Sequence, residues 1–283
     1  MSFLIPFFAA FLQAGSLTLD KVVLSMKHVT YKTYNAISFP FMFLITLIIF
    51  AIFRPPLMPI VFSGGLLLLF VGSIFITISS NLILYRALDG DNLGEIQTMQ
   101  LLQSLPIILF ASLVFSDERN FYVLAPAVIA TLAVAWSHFE KHHFIIRKKT
   151  LTFLTWSLIA APVGTVIIKI LLESWNPIAM QLFRSGVIVC ILMPFFFRKN
   201  LKCSLKVFSF LMLTNILTTV AWILYYFSYQ RFGIAYTVLI FSMQPLLVYF
   251  ASILFLKERP QFKKIVAFVI VLVSIGVAQF LKG

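Results

Sequence analysis

Residues 60–85 read IVFSGGLLLLFVGSIFITISSNLILY, an apolar stretch that contains no charged side chain. A helix needs about 20 apolar residues to cross the hydrocarbon core of a bilayer, so this stretch is long enough to span a membrane. Because lipid offers the backbone no hydrogen-bond partners, such a span is predicted to be a helix. Nine further apolar segments qualify, some of them short or interrupted, and the ten predicted spans are 2–19, 33–53, 60–85, 96–115, 121–136, 151–172, 178–197, 207–229, 234–256 and 265–281.

The composition agrees with an all-α polytopic membrane protein. Of the 283 residues, 61% are hydrophobic and 11% are charged, whereas a soluble domain carries about 25% charged residues. The net charge of +13 comes from short basic runs between apolar blocks, which is how membrane proteins place Lys and Arg at the lipid interface. We therefore expect the lipid bilayer as a partner and no nucleic acid.

The two halves of the chain share short strings at one fixed separation. Three strings recur 140 residues apart: Ile83-Leu84-Tyr85 with Ile223-Leu224-Tyr225, Ala111–Phe115 with Ala251–Phe255, and Glu118-Arg119 with Glu258-Arg259. The repeat divides the chain into five predicted helices at 1–137, a basic linker at 138–150 and five predicted helices at 151–283. An odd number of spans inverts the second unit, so we predict ten transmembrane helices as two inverted five-helix repeats. Many secondary transporters are built in this way.

The recurring acidic-basic step also carries a family resemblance. The strings Phe115-Ser116-Asp117-Glu118-Arg119 and Phe255-Leu256-Lys257-Glu258-Arg259-Pro260 resemble the Gly-Glu-Arg step of ten-helix transporters of the EamA type, in the drug/metabolite transporter superfamily. Asn176-Pro177 followed by Arg184 resembles the start of their seventh helix. The chain departs from the family pattern at Phe39, where an Arg is expected, and in lacking the Gly of both steps. The resemblance implies a transporter whose fourth and ninth helices line the cavity.

Membrane orientation stays open at this point. Most Lys and Arg residues lie in loops that follow odd-numbered spans, and the positive-inside rule puts those loops in the cytoplasm and both termini outside. The family resemblance implies the reverse, because relatives often have cytoplasmic termini. Either orientation fits a multi-pass protein of the inner cell membrane.

Polar residues in the fourth and ninth spans are the first site candidates. Polar side chains inside a span are costly unless they face protein or a water-filled cavity. The candidates are three glutamines spaced three apart, the serine beside them and a glutamine of the ninth span: Gln97, Gln100, Gln103, Ser104 and Gln244. Interhelical hydrogen bonding is the alternative interpretation. Pro106 and Pro245 lie mid-span, where a helix kink opens a cavity.

The eighth span carries an aromatic stripe. Trp222, Tyr225, Tyr226 and Tyr229 have the spacing i, i+3, i+4, i+7, which puts them on one helix face. Such a wall suits a cation or a planar ring. The alternative is a belt at the membrane interface, where Trp and Tyr also gather.

Basic residues within the spans have two possible roles. Arg184, with Gln181 one turn before it, either holds a substrate carboxylate or phosphate or extends to the interface. Lys169 is expected to extend to the interface. Gln13, Asn81 and Asn215 are isolated polar residues that we interpret as packing residues, a role that Gln181 also fits.

Acidic residues give no strong sign of proton coupling. Asp20 and Glu95 come nearest to a span, each close to its edge, and Glu118 and Glu258 are expected to begin the fifth and tenth helices. Asp89-Gly90-Asp91 is the only close acidic pair, too little for a magnesium-dependent membrane enzyme. His138, His142 and His143 lie among lysines in the linker, so no metal site and no cofactor is expected.

These observations predict a transporter and not an enzyme. We expect a secondary carrier, independent of ATP, that moves a small polar or amphipathic metabolite by alternating access. Amino-acid-like export is the most specific expectation and rests on the resemblance. The alternatives are import of a nucleotide-like or cationic metabolite and flipping of a lipid-linked head group. The sequence leaves a monomer and a homodimer equally open.

Overall fold

The protein is helical throughout the part of the chain that the structure describes. This computed structural model describes residues 4–27, 29–57, 64–90, 96, 100, 102–138, 148–196, 204–256 and 262–282. The helices are α1 (Leu4–Leu24), α2 (Tyr31–Phe53), α3 (Gly64–Gly90), α4 (Ser104–Val114), α5 (Phe121–His138), α6 (Lys148–Ser174), α7 (Pro177–Phe196), α8 (Leu205–Phe232), α9 (Ile234–Phe241), α10 (Gln244–Leu256) and α11 (Phe262–Lys282). A single 3₁₀ turn at Ser116–Glu118 joins α4 and α5 within these residues.

Seven helical segments of the described chain are long and apolar enough to cross a membrane: Leu4–Leu24, Tyr31–Phe53, Gly64–Asp89, Lys148–Ser174, Leu205–Phe232, Ile234–Ala251 and Phe262–Leu281. Three shorter apolar helices accompany them, at Ser104–Val114, Phe121–Ser137 and Pro177–Leu192. The outer surfaces of the long and the short helices are apolar, with Leu68 of α3 76% exposed and Leu113 of α4 71% exposed. Apolar exposure on this scale is stable only in lipid, so the chain is a multi-pass membrane protein.

Two spans that were predicted to be continuous are interrupted beside a proline. Ser242 and Met243 form a turn between α9 and α10, and Gln103 lies in a turn before α4. Pro245 and Pro106 then fall in the first turn of the helix that follows, where a missing N–H costs nothing. Each helix is therefore interrupted close to the proline at which a kink was predicted. In a continuous helix each proline ring would instead clash with the carbonyl of the preceding turn.

Long-range packing joins helices from opposite ends of the chain. The main contacts are α1 with α8, α3 with α6, α2 with α7, and α5 with α11. One buried cluster includes Ile108, Leu171 and Tyr226, and a second includes Leu88 and Leu211. The helices that surround the interior therefore come from both halves of the sequence.

Candidate functional site

A cavity of about 260 Å³ lies among the helices. Its walls are formed by residues of α1, α2, α3, α6, α7 and α8, together with Gln100, Gln103 and Ile107. Amide, hydroxyl and phenol groups share these walls with apolar side chains. This mixture is typical of small-molecule sites, which are mostly apolar with a few fixed polar groups.

Arg184 is the one charged side chain among the described residues that line this cavity. It is 8% exposed, so the alternative in which it extends to the membrane interface is wrong. Its Nε donates to Thr77 Oγ1 at 3.0 Å, its Nη2 also donates to Thr77 Oγ1, and its Nη1 donates to Tyr226 Oη. A guanidinium has five N–H groups. One N–H of each terminal nitrogen is thus left without a partner among the described residues, an arrangement that fits the two oxygens of a carboxylate.

Two amide oxygens provide acceptors in the same cavity. Asn35 Oδ1 and Gln100 Oε1 are buried and have no hydrogen-bond partner among the described residues, and both side chains line the cavity. Asn35 Nδ2 donates to the Tyr31 carbonyl oxygen at 2.7 Å. A buried acceptor without a partner carries a desolvation cost, which a donor group on a bound molecule would remove.

The aromatic stripe of α8 lines the cavity. Tyr226 and Tyr229 are fully buried, and all four aromatic side chains lie on the cavity wall. The Trp222 and Tyr225 ring centroids are 5.3 Å apart at 84°, and the Tyr225 and Tyr229 hydroxyl oxygens are 2.5 Å apart. These contacts join neighbouring rings of the stripe to one another along the cavity wall.

The remaining site candidates divide between two adjoining cavities. Gln181 lines the main cavity, while Ser104 and Gln244 line a second one of about 140 Å³ that shares Gln100, Gln103, Trp222 and Tyr225 with it. Gln97 lies outside the described residues, as do Glu95 and Glu258.

The isolated polar residues occupy different surroundings. Gln13 and Asn81 line the main cavity, whereas Asn215 does pack, its Nδ2 donating to Leu211 O at 2.6 Å and Ser38 Oγ at 3.2 Å. Asn35 and Thr77 were not among the predicted site residues. Each is a polar residue inside a predicted span, which was the available signal.

An ionic cluster joins the two halves beyond one end of the cavity. Lys169 Nζ lies 2.6 Å from both Asp117 Oδ2 and Glu118 Oε1, so the ammonium group pairs with two carboxylates. The Glu118 carboxylate accepts hydrogen bonds from the Ile234 and Ala235 backbone N–H groups at 2.6 and 3.0 Å. Glu118 was expected to begin the fifth helix, yet it caps α9 instead, because the positive N-terminus of α9 and Lys169 both approach it.

Comparison with known proteins relates the second half of the chain to a transporter family. Residues 148–279 match the family model described as the EamA-like transporter family. A solved crystal structure of another protein superposes with a TM-score of 0.74 at 12% sequence identity, covering 99% of this chain and 98% of that chain. At that identity the likeness concerns the fold alone. No curated protein sequence matches the chain.

Proposed function

We propose that this protein is a secondary transporter that moves a small amino-acid-like metabolite across the membrane by alternating access. The match of residues 148–279 to the EamA-like transporter family supports a membrane transporter of small molecules.

The observation that carries the substrate class is the pairing of Arg184 with neutral acceptors in one cavity. The two available N–H groups of Arg184 match a substrate carboxylate. The unpartnered oxygens of Asn35 and Gln100 match the ammonium group of an amino acid. A cavity of about 260 Å³ suits a molecule of that size. A purely cationic substrate is disfavoured, because Arg184 would repel it.

The proposed architecture is ten transmembrane helices in two inverted repeats, residues 1–137 and 151–283, joined by the basic segment 138–150. Exchange of the two repeats turns the α1–α8 contact into the α6–α3 contact, and both are extensive. The same exchange maps the α2–α7 and α5–α11 contacts onto themselves. This reciprocal packing supports the inverted repeat, and rocking of one repeat against the other would open the cavity to each side in turn.

The direction of transport follows from the family resemblance. We propose export from the cytoplasm across the inner cell membrane, with Gln100, Gln103, Gln181 and Arg184 on the substrate path and the Trp222–Tyr226 wall beside it. Ser104 and Gln244, in the adjoining cavity, and Gln97 complete the proposed path.

Counterflow in proteoliposomes tests the substrate class. Vesicles loaded with unlabelled L-alanine or L-phenylalanine should accumulate the same labelled amino acid, and L-alaninamide, which lacks the carboxylate, should not compete. Arg184→Lys keeps the charge but loses the planar fork, so we expect initial rates to fall by a factor of about 10 or more. Arg231→Lys, at an exposed arginine, should transport at the wild-type rate.

Two outcomes would contradict this proposal. Equal competition by L-alaninamide and L-alanine would remove the carboxylate from the recognition chemistry. Absence of flux for every amino acid, together with binding of a lipid-linked precursor, would favour a head-group flippase.

A further inference from the structure

A carboxylate is buried outside the proposed substrate site. Asp20 of α1 is 1% exposed, although the sequence suggests a position close to the span edge. Tyr34 Oη donates to its Oδ1 at 2.5 Å, Tyr85 Oη donates to its Oδ2 at 3.2 Å, and Thr214 Oγ1 also donates to Oδ1. An ionised carboxylate in such a position is costly without a cation, so a proton is the simplest compensating ligand.

Among the residues that the structure describes, few ionisable groups surround Asp20. The phenols of Tyr34 on α2 and Tyr85 on α3 face it, and α8 faces it with the hydroxyl of Thr214. The neighbouring Lys21 directs Nζ to the Leu88 carbonyl oxygen at 2.7 Å. Helices α9 and α10, which also pack on α1, contribute none of the hydrogen bonds recorded for Asp20 within the described chain.

A chain of hydroxyl groups connects Asp20 to the cavity. Ser16 Oγ lies 2.9 Å from Thr214 Oγ1 and within hydrogen-bond distance of Thr218 Oγ1, and Thr218 lines the cavity. With Thr214 donating to the carboxylate, Ser16 is free to donate to Thr214 and Thr218 to Ser16. Tyr85, which also lines the cavity, provides a second, single-step connection.

We propose that Asp20 is a proton-binding site that couples the transport cycle to a proton gradient, and this inference rests on the proposed transport function. A proton from cavity water enters at Thr218, each hydroxyl accepts one proton and passes its own onward, and Asp20 becomes a neutral carboxylic acid. Release reverses the same steps and returns the proton to water. Every hydroxyl is neutral before and after the transfer.

The position of Asp20 explains how proton binding biases the conformation. Asp20 belongs to the first half of the chain and Thr214 to the second, so their hydrogen bond crosses the α1–α8 contact. Hydrogen bonds to a charged acceptor are roughly twice as strong as neutral ones. Protonation therefore weakens this contact, and a ligand that binds one conformation better shifts the population towards it.

A substrate-free measurement tests the proton site. Proteoliposomes adsorbed on a solid-supported membrane are subjected to a pH jump, and the transient current is recorded. We expect a current from the wild type and a loss of at least tenfold in amplitude for Asp20→Asn, which keeps the side-chain shape. Asp89→Asn, the same change at an exposed aspartate, should keep the wild-type current. A wild-type current from Asp20→Asn would overturn the proposal.

A second variant covers the case in which Asp20→Asn fails to fold. The double variant Thr218→Val with Tyr85→Phe keeps Asp20 and removes both connections to the cavity. We expect its current to rise at least tenfold more slowly than that of the wild type. An unchanged rise time would refute the proposed route.

A counterflow assay distinguishes failure of the proton site from failure of the proposed transport function. Asp20→Asn should retain counterflow of labelled L-alanine at equal pH on both sides but lose accumulation driven by a pH gradient. No flux of any amino acid through the wild type would contradict the transport proposal. Wild-type flux that ignores the pH gradient, with Asp20→Asn behaving identically, would contradict only the proton site.

Discussion

At Gly233 the chain turns between α8 and α9 with a φ of +86° and a ψ of 172°. This backbone region is essentially restricted to glycine. A Cβ atom at this position would lie 2.7 Å from Glu118 Oε1 and 3.0 Å from Glu118 Oε2. The Glu118 carboxylate has little freedom to retreat, because Lys169 and two backbone N–H groups hold it.

Gly233→Ala is therefore expected to destabilise the protein by at least about 1–3 kcal/mol, the cost of one strained residue. Thermal unfolding in detergent measures the change. Gly276→Ala is the matched control, since a Cβ there meets no atom within 4 Å and Gly276 lies inside α11. The control should be neutral or slightly stabilising, and equal melting temperatures for the two variants would contradict the strained turn.

Sequence patterns predict which residues share a helix face but not which residues they contact on other helices. Spacing put Trp222, Tyr225 and Tyr226 on one face of a helix, and all three line the cavity. Spacing along one helix does not reveal which helix lies opposite. Thr77, the partner of Arg184, is 107 residues away in the chain, and the contact between Asp20 and Thr214 spans 194 residues. Partners this distant follow from helix packing, which the pattern within a single span does not determine.

At the scale of elements, α9 depends on a carboxylate from another part of the chain. Gly233, the residue before α9, makes no side-chain cap, and Glu118 supplies the acceptors instead. The partners of Lys169 differ in burial, with the Glu118 side chain 4% exposed and that of Asp117 66% exposed. Both ion pairs have a distance of 2.6 Å, but they contribute unequally to stability, because an exposed ion pair contributes little.

We expect Glu118→Ala to lower the free energy of unfolding by about 3–5 kcal/mol. The substitution leaves buried Lys169 without its buried partner and leaves the N–H groups at the start of α9 without an acceptor. Asp117→Ala should change stability by less than about 1 kcal/mol. Thermal unfolding of both variants in the same detergent compares their stabilities directly. If Asp117→Ala proved the more damaging, the assignment of Glu118 as the cap of α9 would be wrong.

Helices and their interruptions were predictable to different degrees. The apolar run 207–229 lies within α8 (Leu205–Phe232), because lipid dictates a helix wherever such a run occurs. Pro245 signalled a kink, but the sequence alone did not place the turn at Ser242–Met243. A proline removes one hydrogen-bond donor but does not fix where the helix is interrupted. That position also depends on how α9 packs against α5 and α8.

At the scale of the whole molecule, alternating access requires the contacts between the two halves to change during transport. The α1–α8 contact is the most extensive of them, and Ser16 and Thr214 meet across it with hydroxyl oxygens 2.9 Å apart. Ser228 and Thr237 meet at a similar 2.7 Å, but both belong to the second half. Because the side chains of each pair meet, paired cysteines at either position are candidates for a disulfide.

In a background with Cys190→Ala and Cys203→Ser, the pair Ser16→Cys and Thr214→Cys should stop counterflow of labelled L-alanine when oxidised. We expect a loss of at least about tenfold that a reductant reverses, because a disulfide prevents the two halves from separating. The pair Ser228→Cys and Thr237→Cys should transport equally well oxidised and reduced, since it links helices that move together. Comparison of oxidised with reduced protein cancels any effect of the substitutions themselves. If the protein with a complete α1–α8 cross-link kept its full counterflow, this contact would stay fixed during the cycle. The two halves would then not separate at it during transport.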